Sequence, residues 1–141
     1  MVTNKQDLSD KIHQISLLQQ AFIANRLKQL QLNTQQARTL SFVFVYPGTI
    51  QKKLAQYLSK QDATVTNLLK GLEKKQYLYR EIPRDNERQK KIYLTKQGEE
   101  IAKQVQLIFA DLNKEFLANI SNEEKIEAEK VLEKIIQGFR P

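Results

Sequence analysis

The chain has no cysteine. That excludes disulfides, thiolate metal sites and a peroxide-sensing thiol, and it suits a reducing, cytoplasmic setting. Histidine occurs once, at His13. One imidazole without a thiol falls short of a zinc site, so neither metal nor cofactor is expected. An enzyme would need a nucleophile with its base, or a cleft with paired carboxylates. No such set can be assembled, because the acids fall mostly on amphipathic helical patterns. No apolar run approaches 18 residues, and the opening MVTNKQDLSD lacks a hydrophobic segment. Neither a membrane span nor a signal peptide is expected. Internal repeats and low-complexity linkers are also missing.

Basic charge is plentiful. The 141 residues, enough for one domain with a real core, carry a net charge of +7. Residues 49–95 hold 11 of the 23 Lys and Arg against five acids, a net of +6. Residues 1–48 net +3 and residues 96–141 net −2. A uniformly basic surface is the plainer alternative, but this charge is segregated. It favours a polyanion, above all nucleic acid, and double-stranded DNA is the expected partner once the helix-turn-helix pattern below is added.

Taken in order, residues 5–31 read as one long helix. Leu8, Ile12, Ile15, Leu18, Phe22, Leu27 and Leu30 recur mostly every three or four positions, with no Gly or Pro between them. Asn33 with Gln36 has the form of a capping box opening a second helix. The run Phe42–Tyr46 reads equally as the end of that helix or as a strand. Pro47-Gly48 ends either one. Two short helices follow, Ile50–Leu58 and Asp62–Lys75. Leu54, Ala55 and Leu58 face inward from the first; Val65, Leu68, Leu69 and Leu72 face inward from the second.

The outer face of the second short helix is left to Ala63, Thr64, Thr66, Asn67, Lys70 and Gly71. In a helix-turn-helix, the N-terminal half of this helix enters the major groove. Asn67 can pair bidentately with adenine, and Thr64 and Thr66 can offer hydroxyls or methyls to base edges. The competing reading is a plain solvated helix face. Two strand patterns, Tyr77–Ile82 and Lys90–Thr95, flank a turn-rich tip. Arg84 and Arg88 there can enter a narrow minor groove; alternatively Arg88 pairs with Asp85 or Glu87 and stiffens the loop. Lys74 and Lys90 complete the candidate DNA-binding set.

Thr95 can cap a final helical region striped by Ile101, Val105, Ile108, Leu112, Phe116 and Ile120. Ser121 with Glu124 has the form of another capping box, opening a helix with Ile126, Val131, Leu132, Ile135, Ile136 and Phe139. These stripes exceed what a small winged helix can cover, and a second copy of the chain is the simplest cover. The expected fold is mainly α with a small β-hairpin. A winged helix-turn-helix core at 33–95 is flanked by long dimerisation helices at 1–32 and 96–141, all in one domain. A two-fold homodimer would place two recognition helices about 34–36 Å apart on a palindromic site.

The segment Arg88-Gln89-Lys90-Lys91-Ile92-Tyr93-Leu94-Thr95-Lys96-Gln97-Gly98 is similar to the wing strand of the MarR family of bacterial winged-helix regulators. There an Arg is followed by Leu-Thr-x-x-Gly. Leu32–Gln36, Lys53-Leu54-Ala55, Thr64-Val65-Thr66 and Leu72–Lys75 extend the resemblance over nearly the whole chain. The resemblance implies an obligate dimer made by the first and last helices, repression of transcription, and often release by a small ligand. It also implies that Phe42–Tyr46 is a helix end. Family pockets lie between the dimer helices and the DNA-binding lobe, where His13, Phe22, Arg26, Phe42 and Tyr46 fall by position; a small aromatic or anionic effector is implied. Three positions depart from the family pattern. Asn86 stands where Asp is usual, Gln76 stands where Gly is usual, and Gly71 lies inside the recognition helix. The alternative function is a winged-helix module for non-specific DNA, RNA or protein contact without ligand response.

Overall fold

Asn33 accepts a hydrogen bond from the Gln36 amide at 2.8 Å, and the Gln36 side chain accepts one from the Asn33 amide at 2.9 Å. This box starts α2 (Thr34–Val45), so in this computed structural model, which describes residues 7–84 and 89–141, the run Phe42–Val45 is helical. Tyr46 closes it by donating its amide to the Phe42 carbonyl at 2.9 Å. The aromatic and β-branched residues there prefer strands in isolation, but Ala37, Leu40 and Val43 bury one helical face and decide the matter.

Helix α1 (Leu8–Leu27) is capped by Asp7 and is followed by a 3-10 turn at Lys28–Leu30. The expected single helix over 5–31 is therefore shorter. Gln31 is left-handed (φ +56°), and Leu32 donates its amide back to the Leu27 carbonyl at 3.3 Å. That six-to-one closure turns the chain so that Leu27 and Leu32 are both buried. The same closure ends α3 (Gln51–Leu58), with Ser59 left-handed, and α4 (Asp62–Lys74), with Gln76 left-handed at φ +64°. None of the three uses glycine, and each left-handed residue costs about 1 kcal/mol.

Leu54 and Leu58 of α3 are buried, as are Val65, Leu69 and Leu72 of α4; Ala55 and Leu68 are half-buried. Strands β2 (Leu78–Glu81) and β3 (Lys91–Leu94) pair antiparallel with Leu78 opposite Leu94 and Glu81 opposite Lys91. A two-residue β1 (Thr49–Ile50) pairs on the other edge of β3, so the expected hairpin is a three-stranded sheet in the order β1-β3-β2. Leu78 and Ile92 turn into the core, and Tyr79 stacks on Tyr93 at 5.6 Å. The wing tip at 85–88, including Arg88, Asp85 and Asn86, lies outside the described residues.

Thr95 joins the sheet to α5 (Lys96–Leu117), and a Ser121–Glu124 capping box starts α6 (Asn122–Phe139). The chain divides into two compact units, one ending at Phe109 and the other covering Ala110–Pro141. Among the described residues, those that are buried all belong to the first unit, and no helix is long and apolar enough to cross a membrane.

Candidate nucleic-acid interface

With Val65, Leu69 and Leu72 turned inward, α4 presents Ala63, Thr64, Asn67, Lys70 and Lys74 to solvent. Thr66 and Gly71 are half-buried. The helix begins without a side-chain cap of its own. Gln51, the first residue of α3, supplies the link instead. Its Nε2 donates to the Thr66 hydroxyl at 2.8 Å and to Asp62 Oδ1 at 2.9 Å. Thr66 therefore lies toward α3, while Thr64 and Asn67 remain on the open face.

Arg80 of β2 holds the other end of α4, with its Nη2 2.7 Å from Glu73 Oε1. Between the helix pair and the sheet runs a cleft of about 340 Å³ lined by Gln51, Lys52, Asp62, Thr66, Arg80 and Lys90, among others. Arg84 is exposed beyond β2, and Lys90 just before β3. Among the described residues, Lys52, Lys70, Lys74, Arg84 and Lys90 make no ion pair with an acid. Unpaired, exposed cations around a polar helix face suit phosphates flanking a groove. Gln51, Lys52 and Arg80 were not among the sequence candidates. The partners of Gln51 and Arg80 lie 7 to 15 residues away, beyond any local pattern.

Gly71 lies in the middle of α4, where a Cβ would meet nothing within 4 Å. The fold does not require glycine there. Gly71→Ala is expected to raise stability by about 1 kcal/mol, read from urea unfolding at fixed protein concentration. Loss of DNA affinity in that stabilised variant would assign Gly71 to close approach by DNA; unchanged affinity would leave it an exposed position free to vary.

The candidate effector residues divide into groups. Phe42 and Tyr46 line one cavity of about 800 Å³ with Val45, Lys53 and Tyr57. Phe42 lies 5.0 Å from Tyr46 and stacks on Tyr57 at 4.7 Å. Phe22 and Arg26 do not line it; the Arg26 guanidinium lies 3.6 Å over the Phe22 ring. His13 is exposed on α1. Tyr57 and Lys53 were missed; both lie on the flank of the buried Leu54 and Leu58 face of α3, where Tyr57 reaches Phe42.

Residues 32–90 match the MarR family model. Among solved structures, MepR of S. aureus in complex with DNA is 26% identical, over 94% of this chain and 98% of that one, with a TM-score of 0.87. The transcriptional regulator SlyA is 24% identical over 94% of each chain, with a TM-score of 0.86. A cysteine-to-serine variant of MarR from E. coli is 21% identical over 95% of this chain and 99% of that one, with a TM-score of 0.76. At these identities SlyA and MarR speak for the fold alone. No curated protein matches the sequence. The family match across the helix-turn-helix and sheet, with agreement in fold over nearly the whole chain, shows a chain that resembles the MarR family of winged helix-turn-helix transcriptional regulators.

Proposed function

We propose that the chain is a cytoplasmic, homodimeric repressor that binds a palindromic DNA operator and is released by a small ligand. The open face of α4 carries this reading. Thr64 and Asn67 stand exposed and polar, with Lys70 and Lys74, which make no ion pair among the described residues, on the same helix. Base-reading groups framed by phosphate-binding cations are what major-groove recognition requires. MepR, on the same fold, has been solved in complex with DNA, which supports the same direction.

Dimerisation is supported by apolar surface. Leu8, Ile15 and Leu18 of α1 are exposed, and α6 exposes Ile126, Val131, Leu132, Ile136 and Phe139 with no buried residue. A second copy covering residues 1–32 and 96–141 would remove these rows from water at roughly 25 cal/mol per Å². Two-fold symmetry then sets two copies of α4 about one DNA turn apart. The cavity formed by Phe42, Tyr46 and Tyr57, with the Lys53 ammonium at its wall, suits a flat aromatic anion as the releasing ligand.

Fluorescence anisotropy tests this reading on DNA from upstream of the coding sequence against a scrambled duplex, across a salt series. A strong preference is expected, with log K falling against log salt at a slope of about −0.9 per phosphate contact. Sedimentation at the same concentrations should show a dimer, and benzoate, as a probe, should weaken the complex. Steep salt dependence without preference on any genomic fragment would favour the non-specific module. No binding at low salt, with ligand removed, would favour a protein-contact role.

A further inference from the structure

The first turn of α4 is held by a neighbouring helix rather than by a cap of its own. Its N-cap, Gln61, makes no side-chain capping hydrogen bond. The Gln51 amide crosses from the start of α3 and donates both hydrogens, one to Asp62 Oδ1 at 2.9 Å and one to Thr66 Oγ1 at 2.8 Å. The Asp62 carbonyl lies near the same nitrogen at 3.3 Å. Asp62 and Thr66 are four residues apart, so they share one face of the helix. A two-point link to one face fixes both the rotation of α4 about its axis and its advance toward a bound duplex. Thr64 and Asn67 sit on either side of Thr66 in sequence and are the exposed polar groups the link would aim.

We infer that Gln51 is a positioning residue for sequence discrimination. It touches no base. It sets the angle at which Thr64 and Asn67 meet base edges, and this role rests on the DNA-binding reading above. The chemistry is directional. An amide nitrogen donates to the carboxylate and the hydroxyl, and an acid in its place cannot. Gln51→Glu keeps the shape, removes both donors and sets a second carboxylate against Asp62. Asp62→Asn in the same chain reverses the polarity. The new amide at position 62 can donate to the new carboxylate at position 51, and the Thr66 hydroxyl can donate to it as well. The double variant also restores the wild-type net charge, so any general loss of phosphate attraction cancels.

The test measures cognate and scrambled duplexes in parallel for the wild type, Gln51→Glu, Asp62→Asn and the double variant. Gln51→Glu is expected to lose about tenfold in the ratio of cognate to scrambled affinity. Asp62→Asn, which keeps an accepting oxygen, should hold that ratio, and the double variant should recover it. Amide hydrogen exchange in the free protein supplies a readout that needs no DNA. Ala63 to Asn67 should exchange faster in Gln51→Glu and return to wild-type rates in the double variant, while α2 stays unchanged. A fall shared equally by both duplexes, or a double variant no better than the single, would overturn the assignment. A wild type that bound both duplexes alike would refute the DNA reading, and with it the discrimination role. Unaltered exchange in Gln51→Glu would refute the link itself.

Discussion

Gly98→Ala is expected to destabilise the fold by about 2–4 kcal/mol, the largest effect of a methyl added at any of the four glycines. A Cβ at Gly98 would sit 1.8 Å from the Tyr77 carbonyl oxygen and 2.7 Å from its carbon. The obstacle is backbone, so no rotamer relieves it. The crowding has a cause in the junction around Thr95. Thr95 donates its amide to that same Tyr77 oxygen at 3.0 Å and its hydroxyl to the Gln76 carbonyl at 2.7 Å. Its Oγ1 then accepts the Gly98 amide at 3.0 Å, capping α5. One threonine thus pins the end of α4, the start of β2 and the first turn of α5. The Leu-Thr-x-x-Gly segment follows from this geometry: Thr makes the three bonds, and Gly three residues on leaves room for the carbonyl that it binds.

To admit a methyl, α5 must draw back and lengthen the two Thr95 bonds to the Gln76 and Tyr77 carbonyls, each worth about 1 kcal/mol. Overpacking adds roughly 1–3 kcal/mol, and better helix propensity returns about 1. Urea unfolding of Gly98→Ala and Gly71→Ala at equal protein concentration checks this. The same substitution should move the two midpoints in opposite directions. A Gly98→Ala protein as stable as wild type would show that the close approach to Tyr77 is not a constraint on the fold.

Much of the fold was legible because its signals are local. Both capping boxes announce themselves in four residues, Asn33 to Gln36 and Ser121 to Glu124, and both bonds of each form. The inner faces of α3 and α4 follow from leucine and valine spacing. What was illegible depends on partners far along the chain. Strand β1 is two residues long and exists through its pairing with Lys91 and Ile92, so Thr49 and Ile50 carry no pattern of their own. Phe42–Tyr46 was ambiguous because propensity and period disagreed, and burial of Val43 resolves it. The turn at Gln31 lacks the glycine or asparagine that would mark it.

The candidate site divides along the same line. Exposure of Thr64, Asn67, Lys70 and Lys74 follows from helical period alone. Attachment of Thr66 to Gln51, and of Glu73 to Arg80, required the packed structure. Sequence position put His13, Phe22, Arg26, Phe42 and Tyr46 together as one effector set; the structure brings Phe42 to Tyr46 and Phe22 to Arg26, each pair on one helix.

Asn67→Ala is expected to cost about 1–3 kcal/mol at the cognate operator, a loss of roughly 5- to 150-fold per half-site, while leaving binding to scrambled DNA unchanged. Asn67 is exposed on α4 two residues after the buried Val65 and two before the buried Leu69, so its side chain leaves the core side entirely. Removing it opens no cavity and breaks no side-chain hydrogen bond among the described residues, so stability should hold within about 0.5 kcal/mol. Its carboxamide carries a donor and an acceptor side by side, matching adenine N6 and N7 in the major groove. Losing both should relax discrimination at one base pair. Lys70 and Lys74 differ in kind: replacing either with Ala should weaken cognate and scrambled duplexes alike and lower the salt slope by about 1. Affinities measured on the operator and on its single-base variants separate the two behaviours. If Asn67→Ala weakened every duplex equally, the residue would act on the phosphate backbone or on the helix itself, and base reading would pass to Thr64 and the wing.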